Sequence, residues 1–528
     1  MKASLRQSMS WLHTWAGLMF GWVLFAMFVT GTAAYFNEEI TRWMQPELKG
    51  RAAPEEAAEA GLRYLERTAP GAKSWFISPP GLRTQTTNVL WQPADDSDEK
   101  RGSRGDTSAQ LDSEGNRIEA RDTRGGFFFY RFHFDLHYMP VIWARYLVGL
   151  AAMSMLVAIV SGVITHKKIF TDFFMLRFGK GQRSWLDAHN VSAVLALPFH
   201  LMITYTGLVT LETLYMPWGI AAAYQSSDRF FEARFPVREE VRPQDRLAPL
   251  APLAPMMATA RTAWNGAPVG SIRIVNPGDA SARISLTRAS EASIASRAET
   301  LEFNGVTGAP ITPTEPVSAG LGGAALTEST MIGLHAGRYA HAGLRWLYFL
   351  SGLGGIAMVG TGLVLWTVKR RQKLIDPARP HLGFRIVEKL NVATVAGFPA
   401  SLAGYFLANR LLPLAMAGRA DWEVHCMFLL WAAFAAWAIV RPTRRGWIEV
   451  LGAGALLYAA VPIVNLLTTG RGIVHSFIHR DLLFIGFDAA MLILAALFAL
   501  GARKAAYAGK GTKPPARPAS TLAIDAVA

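Results

Sequence analysis

The stretch SWLDAHNVSAVLALPFHLMITYTGLVTLE, residues 184–212, decides how the chain is read. From Val191 to Leu211 it is almost wholly apolar, long enough to cross a bilayer core as a helix. His189 stands near its start and His200 near its middle. At about 100° and 1.5 Å per residue, a straight helix would point both rings the same way, roughly 16 Å apart in depth. Ionisable side chains are costly in lipid and usually face a bundle interior where they serve a function. Imidazole is also a common axial ligand of haem iron. Each histidine has a plainer reading beside this one. His200 would hydrogen-bond a neighbouring helix, and His189 would sit in the wet headgroup zone.

Composition narrows the class. Of 528 residues, 51% are hydrophobic and only 17% charged, below the quarter usual for soluble proteins. The net charge of +14 comes from basic residues at the ends of apolar runs. That is a topology signal, not a nucleic-acid footprint. The single cysteine, Cys426, excludes an intrachain disulfide and disfavours iron–sulfur and thiol redox chemistry. Twelve histidines and 18 methionines are available instead.

The chain then divides by hydropathy into a mainly α-helical membrane protein of about eight spans with two external α+β domains. Residues 1–36 hold the first span, basic at its start and longer than a signal-peptide core. Its Gly17 and Gly21 form a GxxxG face for close helix approach. Residues 37–140 form a polar domain, with a helix expected over Pro54–Thr68, strands over Thr87–Gln92 and Phe127–Phe132, and a loop over Asp95–Thr107. The second span is 141–166, followed by a basic loop at 167–187. The third is 188–214, and residues 215–340 make a second external domain with strands expected at Gly270–Val275 and Ala282–Thr287. The fourth span, 341–370, ends in Lys369-Arg370-Arg371. Residues 371–505 form a C-terminal module of four spans. The tail 506–528 is expected to be disordered. Basic loops on one side put both termini in the cytoplasm.

The first four spans repeat as two hairpins. His13 precedes Thr30-Gly31 as His189 precedes Thr206-Gly207. Leu136-His137 matches Leu334-His335, Arg145 matches Arg345, and Ser161-Gly162 matches Thr361-Gly362. Repeats related by an axis along the membrane normal are an established plan. The repeat sets His13 and His189 at one depth near the cytoplasmic face, and His137 and His335 at one depth near the outer face. Facing imidazoles suit six-coordinate haem. His166 and His200 break the symmetry, their counterparts being Trp366 and Leu24, and are further ligand candidates. His133 and His341 are near-neighbours of these and stand behind them. Arg145 and Arg345 are candidates for pairing haem propionates, or for headgroup contact. His475 and His479 share an i,i+4 spacing that suits a metal.

These pieces resemble the PepSY-associated transmembrane proteins. The resemblance rests on Leu12-His13-Thr-Trp-Ala-Gly17, Asp135-Leu136-His137, Ser161-Gly-Val-Ile-Thr-His166, Trp185-Leu-Asp-Ala-His189-Asn190, Leu197-Pro-Phe-His200 and Gly333-Leu-His335, and covers about residues 1 to 372. It implies periplasmic PepSY-like domains, two haem b groups in the bundle, and reduction of ferric siderophore at the bacterial inner membrane. The electron donor would be a quinol or a cytoplasmic reductase. Nothing suggests nucleic acid as a partner. No GxGxxG opens a helix after a strand and no P-loop occurs, so no nicotinamide domain is expected within the chain. The competing class is a non-redox membrane protein: a siderophore or metal transporter, or a sensor module with external binding domains.

Overall fold

The computed structural model describes residues 4–48, 50, 52–94, 107–166, 175–224, 226–234, 241–311 and 323–507. The expected loop at Asp95–Thr107, save its last residue, and the tail from Ala508 lie outside the described residues.

The first round of the chain is α1 (Leu5–Ala34), α2 (Asn37–Met44), α3 (Pro54–Thr68), β1 (Ser74–Ser78), β2 (Thr87–Gln92), β3 (Ser108–Leu111), α4 (Phe127–Asp135) and α5 (Val141–Thr165). The second is α6 (Gln182–Leu195), α7 (Leu197–Thr210), α8 (Glu212–Tyr215), α9 (Trp218–Ala223), α10 (Ser227–Arg234), α11 (Leu253–Ala263), β4 (Val269–Val275), β5 (Arg283–Arg288), β6 (Thr300–Asn304), α12 (Gly323–Ala336) and α13 (Ala342–Arg371). The C-terminal module is α14 (Leu382–Asn391), a π-helical turn Val392–Gly397, α15 (Phe398–Leu411), α16 (Arg419–Val440), α17 (Thr443–Thr469), α18 (Ile473–Ile478) and α19 (Leu482–Tyr507). Seven helices among the described residues are long and apolar enough to cross a membrane, and α6 with α7 makes an eighth crossing if taken as one broken span.

That break corrects the straight helix expected through His189 and His200. α6 and α7 meet at 68°. Pro198, in the first turn of α7, has no N–H to give and its ring crowds the carbonyl a turn earlier. The two histidines therefore do not share a helix face.

The two external domains are one domain. The strands form a single six-stranded sheet in the order β3-β2-β1-β4-β5-β6. β1 of the first half pairs antiparallel with β4 of the second, Trp75 opposite Ile274 and Ile77 opposite Ile272. Each half is a helix followed by a three-stranded meander, so a pseudo-two-fold relates them at the β1/β4 seam. Trp75, Ile77, Val89, Ile272, Ile274, Ile284 and Leu286 share one core with Leu62 and Leu65 of α3 and with Met256 and Met257 of α11. Glu59 on α3 accepts hydrogen bonds from the backbone N–H groups of Leu253 (2.6 Å) and Ala254 (3.0 Å). One half thus caps the helix of the other, whose own N-cap, Pro252, makes no side-chain bond. Alone, each half would expose the strand edge that the other covers.

Phe127–Phe132, expected as a strand from its aromatic content, is helix α4. Tertiary packing overrides β-propensity here. Phe128, Phe129 and Phe132 fall on one helical face and pack against Tyr405, Phe406 and Phe398 of α15. The helix ends at Leu136, which is left-handed at φ 43°.

Candidate functional site: two facing histidine pairs

Four imidazoles meet in two pairs. His13 on α1 and His189 on α6 have ring centres 6.1 Å apart, at the end of the bundle remote from the sheet. His133 on α4 and His335 on α12 also lie 6.1 Å apart, at the sheet end. The partner facing His335 is thus His133, not the expected His137. The Leu-His dipeptide misaligned the repeat, because α4 stops at Leu136 and leaves His137 beyond the helix end. His137 stacks on Phe428 at 5.6 Å instead. Burial, with Arg124 and His425 adding to it, holds its imidazole below the ordinary histidine range.

Every ring of the two pairs is held in the same way. The Nδ1–H of His13 donates to the carbonyl of Ala158 (2.8 Å), and that of His189 to Met358 (2.8 Å). His133 donates to Met27 (2.7 Å) and His335 to Ile203 (3.0 Å). A carbonyl only accepts, so each bond fixes the proton on Nδ1 and leaves the Nε2 lone pair free to ligate. Backbone carbonyls are common second partners of metal-bound histidine.

Each accepting carbonyl lies one helical turn before a glycine, and each glycine touches the ring it serves. A Cβ at Gly162 would stand 3.2 Å from His13 Cε1, and one at Gly362 3.1 Å from His189 Cε1. At Gly31 it would lie 2.7 Å from His133 Nδ1, and at Gly207 2.8 Å from His335 Cε1. The residue before each glycine is Ser161, Thr361, Thr30 or Thr206. Each hydroxyl donates to the carbonyl four residues earlier, at 2.6, 2.6, 2.8 and 2.7 Å, which settles it inside the bundle. The Ser/Thr-Gly pairs that mark the repeat in sequence are therefore the seats of the four imidazoles. The sequence contained that signal, although it served only as an alignment marker.

The remaining candidates fall elsewhere. His200 is fully buried, edge-on to Phe28 at 5.8 Å. Among the described residues, no histidine ring packs against it. His166 caps α5 and lies 3.1 Å from the amide nitrogen of Asn190, the residue after His189. It borders the first pair without joining it. Arg145 and Arg345 find carboxylates in the protein. Arg145 pairs with Asp135 at 3.0 Å, and Arg345 with Glu39 at 2.8 Å. These bridges supply the counter-charge expected from a propionate. His475 and His479 pack ring on ring at 4.2 Å, and no cluster of three or more metal-type side chains surrounds them among the described residues.

The C-terminal module frames the sheet-end pair through α4. Arg419 and Glu423, 1% and 0% exposed, form an ion pair at 2.6 Å. Glu423 accepts from Thr123 (2.5 Å) and Arg419 donates to the Asp122 carbonyl (2.8 Å). Tyr405 donates to the Gly125 carbonyl at 2.9 Å. These bonds grip the segment that leads into α4, and so fix where His133 stands.

These features define a multi-pass helical membrane protein with one sheet domain and facing histidines at two levels. The chain belongs to the PepSY-associated TM region family, whose model matches residues 10–369. All four paired histidines and their four glycines lie inside that match. Uncharacterized protein PA4219 of Pseudomonas aeruginosa is 26% identical over 415 residues, covering 71% of this chain and 94% of that protein.

Proposed function

We propose that this protein is a di-haem b oxidoreductase of the bacterial inner membrane that reduces ferric siderophore on the side of its sheet domain and so releases iron. The observation that carries the reading is the 6.1 Å separation in both pairs. Two metal–imidazole bonds of about 2.0 Å, each adding roughly 1.1 Å from nitrogen to ring centre, put ring centres about 6.2 Å apart across a shared iron. Nδ1 is engaged at all four rings, and the free Nε2 atoms are those that would hold the iron. The four rings are half-buried.

Bound haem would supply one-electron chemistry at iron. The chain's part is to orient the imidazoles, fix their tautomers and raise their basicity through the carbonyl bonds. His13 and Gly31 lie on the same helix, so the two levels are separated by about 27 Å along α1. That is most of a bilayer's hydrocarbon thickness, so electrons can be carried through the membrane between them. Ferric iron is a hard cation held by oxygen ligands, and one added electron makes an ion they hold less well. Basic residues at Lys369–Arg371, Arg441, Arg444 and Arg445 crowd the end opposite the sheet, which supports a cytoplasmic placement for that end and a periplasmic one for the sheet.

The test is optical. The full chain purified from haem-replete cells should show a Soret and α-band reducible by dithionite. Adding a ferric siderophore to the reduced protein should reoxidise the band and deliver iron to a ferrous chelator. A colourless preparation would end the redox reading and leave a transporter or sensor role.

A further inference from the structure

The sheet end of the bundle holds a second feature, a cleft of 430 Å³ lined by Tyr138, Trp422, His425, Phe428 and Leu429. It lies where the turn between α4 and α5 meets the first turns of α16. Both α5 and α16 are spans, so the cleft lies at their sheet-side ends, and Trp422, in the first turn of α16, stands where an interfacial belt would lie. Its walls are aromatic. The Tyr138 and His425 rings stack at 5.7 Å and 15°, Trp422 stands edge-on to His425 at 5.3 Å, and Phe428 meets Tyr138 at 4.9 Å. Two polar groups converge there, since the Tyr138 hydroxyl and His425 Nδ1 hydrogen-bond each other. Tyr138 is held in the left-handed region at φ 62°, uncommon for a bulky side chain and a kind of strain that clusters at ligand sites. On its inner side the cleft abuts His137, which touches Phe128 of α4 at 5.9 Å, the helix that carries His133.

An aromatic cleft at the ends of two spans, with one phenol and one imidazole, suits a flat apolar ring bearing oxygens that accept and donate hydrogen bonds. A ferric chelate, polar and bulky, does not fit that description. We propose that this cleft binds the head group of a membrane quinol and is where electrons enter the protein. The binding half stands on the cleft alone, and the redox half rests on the haem reading above. In the redox step a quinol becomes a quinone, losing two electrons and two protons. Iron held by His133 and His335 would take the electrons singly and pass them to ferric substrate, and iron held by His13 and His189 would store the second electron until it returns for a second ferric ion, so that one quinol serves two. The hydrogen-bonded Tyr138 hydroxyl and His425 imidazole would relay the two protons to water.

The test uses the full chain in lipid nanodiscs. Decylubiquinone should quench tryptophan fluorescence saturably, and Trp422→Phe should remove most of that signal. His425→Leu and Tyr138→Phe should each weaken binding about tenfold, the value of one lost hydrogen bond. Decylubiquinol should reduce the haem band of the parent protein, at least tenfold more slowly in both variants, while dithionite reduces all three equally. Non-saturable quenching, or variants that bind and react like the parent, would overturn the proposal. A chain without haem that still binds decylubiquinone saturably would sink the redox half and keep the site.

Discussion

His189 donates its Nδ1–H to the carbonyl of Met358 at 2.8 Å, one turn before a glycine whose missing side chain gives the ring its room. The same relation holds for the other three paired histidines. It makes glycines at 31, 162, 207 and 362 part of the site, although none of them carries a functional group.

Bulk at these glycines should therefore act like loss of the histidine. Gly207→Val puts a branched side chain where even a Cβ would stand 2.8 Å from His335. The expected outcome is loss of the sheet-end haem, read as a fall from two haems per chain to about one. Gly362→Ala, with a Cβ 3.1 Å from His189, should cost less, because the ring can yield a few tenths of an ångström.

His133→Ala and His137→Ala separate the geometry from the sequence repeat. The first should halve the haem content and the second should leave it unchanged, as measured by pyridine haemochrome against protein. Equal loss in both would mean that His137 is a ligand in spite of its position past the end of α4.

Arg419→Met should strip Glu423 of its partner inside the C-terminal module. Breaking a buried pair in this way costs about 3–5 kcal/mol. Thermal unfolding in detergent should shift down. Because the pair grips the segment before α4, haem loss on heating should begin at the His133/His335 level while the His13/His189 spectrum persists.

The shared sheet predicts that its two halves stand or fall together. Ile274→Ala removes a fully buried side chain at the β1/β4 seam, at a cost of about 2–5 kcal/mol. Limited proteolysis should then cut both the 52–94 and the 241–311 segments at the same rate. Protection of the first segment alone would show two independent domains.

Much of this was legible in the sequence. The spans follow from runs of apolar residues, and the pairing of His13 with His189 follows from their equal distance to Thr30-Gly31 and Thr206-Gly207. What was not legible depended on long-range geometry. Pro198 was visible, but a proline in a span can kink or be tolerated, and only packing decides that the bend is 68°. His133 and His137 sit one turn apart, and choosing between them required knowing that α4 stops at Leu136. Trp75 and Ile274 pair across nearly 200 residues, which no local pattern reports. Arg345 finds Glu39 across 306 residues, so its counter-charge stayed hidden.

The most direct measurement is the haem-to-protein ratio of the purified full chain beside two double variants, His13→Ala/His189→Ala and His133→Ala/His335→Ala. Two haems per chain are expected in the parent, with the low-spin spectrum of bis-imidazole iron, and one in each double variant with a distinct midpoint potential. A parent free of haem, or double variants that keep both haems, would contradict it.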